Sequence, residues 1–395
     1  MIPIFIALSL ALWVAANPLG AAPLPATPIL QKHCSACHAW TVAELKSLAP
    51  AIAKAVVTRA MPPWKVAAPV GVWKDERRLT APEIAAVAAW AKNPRASKDI
   101  VSTGKPLPEP DLVVTMPEAF TIPAHSHDLY QCFAIPVKLP ANRWVRAIDF
   151  RPGNPNVVHH ALVFAGKPEK RSYPCFGAPG FIPARGLGGW SPGNGLGEFP
   201  PGTAALLPAG NDIVIQIHYH SHTGRDETDR SSVALYFADG PPEKQLLDIA
   251  LGSTDIDIPA GAPAHRVRDY FTVPVDVWLL GVIPHMHHVG KEVRGWADSK
   301  LLFEIRDWDF NWQDRYWYKK PILLKAGTRI DAEFVYDNST ANPRNPSNPP
   351  KRVTWGFGVE DEMAGLHFQV VPVRPEDAEE LGQTLWGKMI RMMRR

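Results

Sequence analysis

The chain reads as multidomain: a small all-α unit followed by two all-β sandwiches. Three observations predict this. Between 28 and 95 apolar residues recur at helical spacing. A polar, proline-rich stretch at 96–112 interrupts that pattern and reads as a linker. From 113 to 373, short alternating runs separated by Gly, Pro and Asn take over, the pattern of β-sandwiches. The length of 395 residues allows two or three domains. The 41 prolines disfavour long helices and suit short strands joined by turns. A net charge of only +3 gives no argument for a nucleic-acid partner.

Taken in order, residues 1–21 read as a secretory signal, with an apolar run at 2–16 followed by small residues. They lack the usual basic start, and an uncleaved membrane anchor is the competing reading. The chain is then expected in the periplasm or outside the cell. Residues 28–95 are predicted to hold three short helices. Ile29–His38 ends in Cys34-Ser-Ala-Cys37-His38, and Ala43–Ala60 has helical periodicity. Thr80-Ala-Pro-Glu83 is a capping signature ahead of Ile84–Trp90. In Cys-x-x-Cys-His, two thiols add to the haem vinyls and the imidazole becomes an iron ligand. Cys34, Cys37 and His38 therefore predict one covalent haem c and a cytochrome c-like unit. A zinc or dithiol site is the alternative. Met61, in Arg59-Ala-Met-Pro-Pro-Trp64, is the candidate sixth ligand; the alternative is that it fills the core and that His33, a lysine or no residue takes that place.

The alternating runs include 144–150, 212–219, 232–237, 275–281, 329–336 and 366–373. Some 260 residues is generous for one sandwich, so two are expected, 113–225 and 226–373. Residues 374–395 read as a terminal helix with a basic, apolar end. Membrane contact is expected only through that helix or an uncleaved signal. Cys132 and Cys175 remain as one pair, free to form a disulfide in an oxidising compartment, with two buried thiols as the alternative.

Six candidate metal ligands fall into two unlike sets. In His285-Met-His287 the i, i+2 spacing puts both imidazoles on one face of a strand. Met363, in Asp361-Glu-Met-Ala-Gly365, is the candidate third donor; core filling is its alternative role. His159 and His160 are adjacent, so they serve one ion only where the strand bends or ends, and Gly153-Asn-Pro155 supplies irregular backbone. His218 would complete that set, with His220 and His222 as competitors. Imidazole serves both copper oxidation states while a thioether favours Cu(I), so the sets point to two coppers of different character. Tyr130 and Gln216 are candidates for holding the ligands in place or linking the sites.

Five segments, in order, carry a family resemblance: Tyr130-Gln-Cys132, Val158-His-His-Ala-Leu-Val-Phe164, Gln216-Ile-His218-Tyr219, Pro284-His-Met-His-His-Val-Gly-Lys291 and Glu360-Asp-Glu-Met363. Together they resemble the copper type II, ascorbate-dependent monooxygenases, the family of peptidylglycine α-hydroxylating monooxygenase and dopamine β-monooxygenase. The resemblance runs from about 113 to 373. It implies that His159, His160 and His218 bind an electron-storing copper. It implies that His285, His287 and Met363 bind the copper that meets dioxygen and breaks a C–H bond. It also implies a Cys132–Cys175 disulfide and two jelly-roll-like sandwiches facing each other across a solvent-filled gap. Three positions depart from the peptide hydroxylase. Ile283 stands where that enzyme has an arginine, and Gly365 and His367 stand where it has Asn and Tyr. Those groups hold a substrate carboxylate, so the resemblance does not extend to a peptidylglycine substrate.

The expected function is hydroxylation of an aliphatic C–H bond of a small organic molecule by dioxygen. Electrons would come from a small reductant or redox protein through the fused haem. Two alternatives remain open: an exported haem–copper electron carrier or copper-handling protein with no organic substrate, and a β-sandwich binding module whose histidines are structural.

Overall fold

The computed structural model describes residues 25–35, 38, 40–67, 72–94, 108–126, 129–175, 179–181, 183–191, 196–221, 224–310, 312–356, 358 and 360–393. The expected signal at 1–21, most of the expected linker at 96–112, Cys37 and His222 lie outside the described residues. Among the described residues, no helix is long and apolar enough to cross a membrane.

Three helices open the described chain, Ala26–His33, Val42–Val57 and Ala81–Trp90. Thr41 and Thr80 start the second and third. Each hydroxyl accepts the N–H of a glutamate three residues on, and each threonine N–H donates back to that carboxylate, at 2.7 and 2.8 Å. Leu30, Leu45, Ile52, Val56 and Val87 fill the small core between the helices.

The expected fold class, an all-α cytochrome c-like domain ahead of two jelly-roll-like sandwiches, is corrected here. The chain is predominantly β, and no self-contained all-α haem domain is evident among the described residues. Between the second and third helices the chain leaves the helices and joins a β core. Val66 bridges to Ile305 and Trp73 to Tyr318. Trp73 is fully buried against Phe303, Tyr316 and Tyr318. The physical reason lies in the local sequence. Pro62 and Pro63 interrupt any helix there, yet Trp64, Val66 and Trp73 are apolar. The three-helix core is too small to bury them, so they enter the larger one.

Four principal antiparallel sheets follow, enclosing two cores. The first core lies between two sheets. One pairs Leu112–Thr115, Ser232–Phe237, Arg143–Arg151 and Gly197–Glu198, with Ala205–Leu207 alongside. The other orders Ser172–Pro174, Leu129–Ile135, Asp212–Tyr219, Val158–Gly166 and Arg185–Trp190. The second core also lies between two sheets. One orders Leu247–Gly252, Gly365–Pro372, Val277–His285 and Tyr316–Leu324, and the other His265–Thr272, Arg329–Tyr336, Gly290–Ala297 and Lys300–Ile305. The expected boundary near 225 falls too early. Ser232–Phe237 sits between Leu112–Thr115 and Arg143–Arg151, so the first core needs the chain to about 237. Phe199, Leu246, Leu280, Trp317 and Val371 pack together where the two halves meet. A short turn at Pro375–Asp377 leads into the terminal helix Ala378–Met393, which packs on the second half through Leu381 and Leu385.

Candidate metal centre

Val158–Gly166 and Asp212–Tyr219 run antiparallel, and their register explains how adjacent histidines meet. His218 stands opposite His160, but Tyr219 stands opposite Val158. His159 is therefore a bulged residue, two against one, and its ring turns to the same side as that of His160. The turn before it forces the bulge. The Asn154 carbonyl accepts the N–H groups of Val157 and Val158, at 3.2 and 3.1 Å. The Asn154 N–H donates to Asp229 at 2.8 Å, and Gly153 lies so close to Arg230 that a Cβ would sit 2.6 Å from its carbonyl oxygen.

The three rings converge through Nδ1. The separations are 3.1 Å for His159–His160, 3.2 Å for His159–His218 and 3.3 Å for His160–His218. No assignment of protons satisfies this triangle. Whatever the tautomers, at least one pair meets lone pair to lone pair or hydrogen to hydrogen. A cation about 2.0 Å from each nitrogen resolves the conflict, so the donor set fits a metal. Burial, followed by the neighbouring His218, His159 and His285, holds His160 well below the ordinary imidazole range, so it offers a neutral ring. The Tyr130 ring stacks on His218, centroids 4.1 Å apart and planes within 4°. Behind the site, Cys132 and Cys175 form a disulfide, and the Gln216 amide approaches Cys175 Sγ at 3.6 Å.

The second set is built differently. His285 ends the strand Val277–His285 and His287 follows on the same side, with ring centroids 5.2 Å apart. His285 Nδ1 donates to Gln313 Oε1 at 2.6 Å. The Gln313 amide cannot be turned round, because its Nε2 donates to the Phe310 carbonyl at 3.0 Å. His287 Nδ1 donates to the Asp361 carbonyl at 3.0 Å. Both lone pairs are thereby placed on Nε2, the arrangement of metal-binding histidines whose other nitrogen is tied to an oxygen. Burial, with the nearby His285, pushes His287 down to about 3, so its ring stays neutral.

Met363 reaches this set through backbone. Gly365 pairs with His285, so Met363 lies on the continuation of that strand beside His287. Glu362 fastens the junction: its carboxylate accepts the backbone N–H groups of both His287 and Met363. Glu362 is fully buried, and burial lifts its carboxyl to about 8.

Between the two sets lies the ring of Phe310, only 5% exposed. Its centroid is 6.5 Å from that of His218, 5.6 Å from His287 and 4.3 Å from His288. The solvent-filled gap implied by the resemblance is bridged here by an aromatic side chain. Neither Phe310 nor Gln313 carries a sequence signal of its own; both lie far along the chain from the histidines they touch. His367 also escaped assignment. It lies opposite Ile283, with its Nε2 3.5 Å from the place a Gly365 Cβ would take, beside His285. Its alternation with Gly365, on the strand that follows Met363, is the signal that could have found it.

At the other end of the chain, Cys34 is buried in the small helical core, and the His38 N–H donates to the Cys34 carbonyl at 3.0 Å. The His38 ring stacks on Trp40, centroids 4.6 Å apart. Met61 is 43% exposed, at the edge of a cavity of about 60 Å³ bordered by Val56, Trp64 and Leu79. Cofactor pockets run to about 300 Å³ or more. The described surroundings of Met61 do not form a cradle for a haem face.

No protein-family model matches the chain, and no curated protein does. Among solved structures the chain is similar to the major capsid protein P2 of bacteriophage PM2, at 10% identity and a TM-score of 0.24, covering 58% of this chain and 99% of that one. It is similar to VP2 of infectious bursal disease virus at 9% identity and a TM-score of 0.20, covering 67% and 73%. VP54 of PBCV-1, fitted into a reconstruction of the virophage Sputnik, gives 7% identity and a TM-score of 0.22, covering 68% and 95%. At such TM-scores these likenesses carry no argument about the fold or function of this chain, and the metal centre is described by its own geometry.

Proposed function

We propose that this chain is an exported, copper-dependent monooxygenase. It hydroxylates an aliphatic C–H bond of a small organic substrate with dioxygen. The observation that carries the proposal is the coexistence of two unlike donor sets: three Nδ1 atoms within 3.3 Å of one another, and a His285–His287 pair with both Nδ1–H groups tied to oxygens. The five sequence segments that resemble the copper monooxygenases fall on these same residues. Copper, when bound, supplies one-electron chemistry and dioxygen activation.

The chain's own residues do the rest. Gln313 and the Asp361 carbonyl aim the Nε2 atoms of His285 and His287. Met363 supplies a soft donor to that set and so favours its reduced metal. The Tyr130 ring holds the plane of His218, and Phe310 keeps water from the space between the sets. One oxygen atom enters the substrate and the other leaves as water, which takes two electrons and two protons from outside. Cys34, Cys37 and His38 are proposed to attach haem c, and the motif is the support for that attachment. Electrons from a small reductant or redox protein would enter through it.

A second reading has one observation in its favour. The Phe310 ring occupies space that a substrate would use, which suits an electron carrier or copper-handling protein with no organic substrate. Two measurements separate the readings. Metal analysis of the exported chain is expected to give two coppers and one haem. Oxygen uptake is then recorded against a mixture of small metabolites. Copper without substrate-dependent uptake would replace the monooxygenase by the carrier, and absence of copper would remove both.

A further inference from the structure

The loop 306–315, which carries Phe310 and Gln313, is held by residues from the far N-terminal side of the chain. Arg77 forms a largely buried ion pair with Asp314, the residue after Gln313; their side chains are 15% and 9% exposed. The Arg77 guanidinium also lies over the Trp312 ring, 5.5 Å from its centroid. Lys65 pairs with Asp307 at 3.0 Å and Asp309 at 3.6 Å. The Trp64 ring meets Tyr316 edge-on at 5.3 Å. Backbone hydrogen bonds frame the loop on both sides, Ala67 N–H to the Glu304 carbonyl at 2.8 Å and Lys74 N–H to the Trp317 carbonyl at 2.7 Å. The segment thus grips both ends and the middle of the loop that turns His285 and separates the donor sets.

We propose that residues 64–67 and 72–78 are an intramolecular clamp that positions Gln313, and through it His285, with Arg77 as the principal positioning residue. Arg77 touches no metal ligand; it acts through Asp314 and the neighbouring amide. The clamp also reaches the cysteine motif, since His33, next to Cys34, donates from Nδ1 to the Arg77 carbonyl at 3.1 Å. The effect on metal binding rests on the proposed copper set at His285, His287 and Met363; the clamp itself does not.

The test uses the full chain and Cu(I), titrated against a competing chelator, with the sulfur signal in X-ray absorption marking the Met363 set. Arg77→Gln is expected to weaken that set about 3- to 10-fold, less than the roughly 10- to 100-fold cost of losing a ligand's own orienting partner. The His159–His160–His218 set should stay within about twofold, because the contacts described for Arg77 lie on the loop that turns His285. Amide exchange across 306–316 should quicken in the same variant. Asp314→Asn should act alike, and the double variant should add little to either. Asp314→Asn also serves if Arg77→Gln does not fold. An Arg352→Gln control, which removes the exposed pair with Asp257 elsewhere, should leave both sets and the loop unchanged. Unchanged affinity and exchange in both loop variants would overturn the clamp, and so would an equal loss at both metal sets. If the unaltered chain binds no copper through Met363, the proposed function fails, and amide exchange alone decides the clamp.

Discussion

The position of one proton decides what His285 can offer. With Nδ1–H given to Gln313, the free lone pair sits on Nε2; without that partner, either nitrogen could carry the hydrogen. Replacing Gln313 by Leu keeps the volume similar and removes the acceptor. It is expected to weaken copper at the His285 set by about 10- to 100-fold, read by chelator competition. Met363→Ile is expected to leave one copper per chain, held by His159, His160 and His218, and to abolish substrate-dependent oxygen uptake. Retained turnover in that variant would contradict the role given to the thioether. The histidines and Met363 stand out in the sequence because their residue types and spacing suit a metal. Gln313 does not, because it lies 28 residues from the ring it orients, and a lone glutamine in a loop has no distinguishing pattern.

Adjacent histidines become co-ligands only if a strand breaks its own alternation. The sequence showed the need for this in His159-His160 and offered Gly153-Asn-Pro155 as a cause. It could not show that the surplus residue would be His159, because register emerges only when Asp212–Tyr219 pairs alongside. Gly153→Ala tests the turn that creates the bulge. Its Cβ would fall 2.6 Å from the Arg230 carbonyl oxygen, so backbone must move. The expected loss is about 1–3 kcal/mol in urea denaturation, with metal bound more weakly at the three-histidine set and unchanged at the other. The alternation of the strands around 212–219 and 366–373 was legible, since each has a face in a core. The span 64–78 was not. It has no period of either kind, and its two tryptophans gave no hint of which core they would enter.

At the scale of the whole molecule, stability is shared between segments distant in sequence. The Cys132–Cys175 bond, with a separation of 43 residues, is expected to contribute about 4 kcal/mol by restricting the unfolded chain. The Cys132→Ser, Cys175→Ser double variant should show that loss in its urea midpoint. Trp73 lies outside the stretch that resembles a known family, yet it fills the second core. Trp73→Ala should cost about 3–5 kcal/mol and lower the melting of the second half, a result that an independent N-terminal domain would not give. The residue pattern of the chain marked helices and then strands; both occur, but not as the separate all-α domain that was expected. What the pattern hid is that the first region completes the second, because burial is decided by the volume available and not by order along the chain.

That dependence has a consequence for biogenesis. A polypeptide emerges from its N-terminus, at about 5–20 residues per second. Trp73 appears early, but the socket of Phe303, Tyr316 and Tyr318 is translated about 230 residues later. For something on the order of tens of seconds, a large indole and its apolar companions have nowhere to go. Seating of this segment must therefore wait until the chain has reached Tyr318, and a chaperone that shields it in the interval would act before the loop that turns His285 can be fixed.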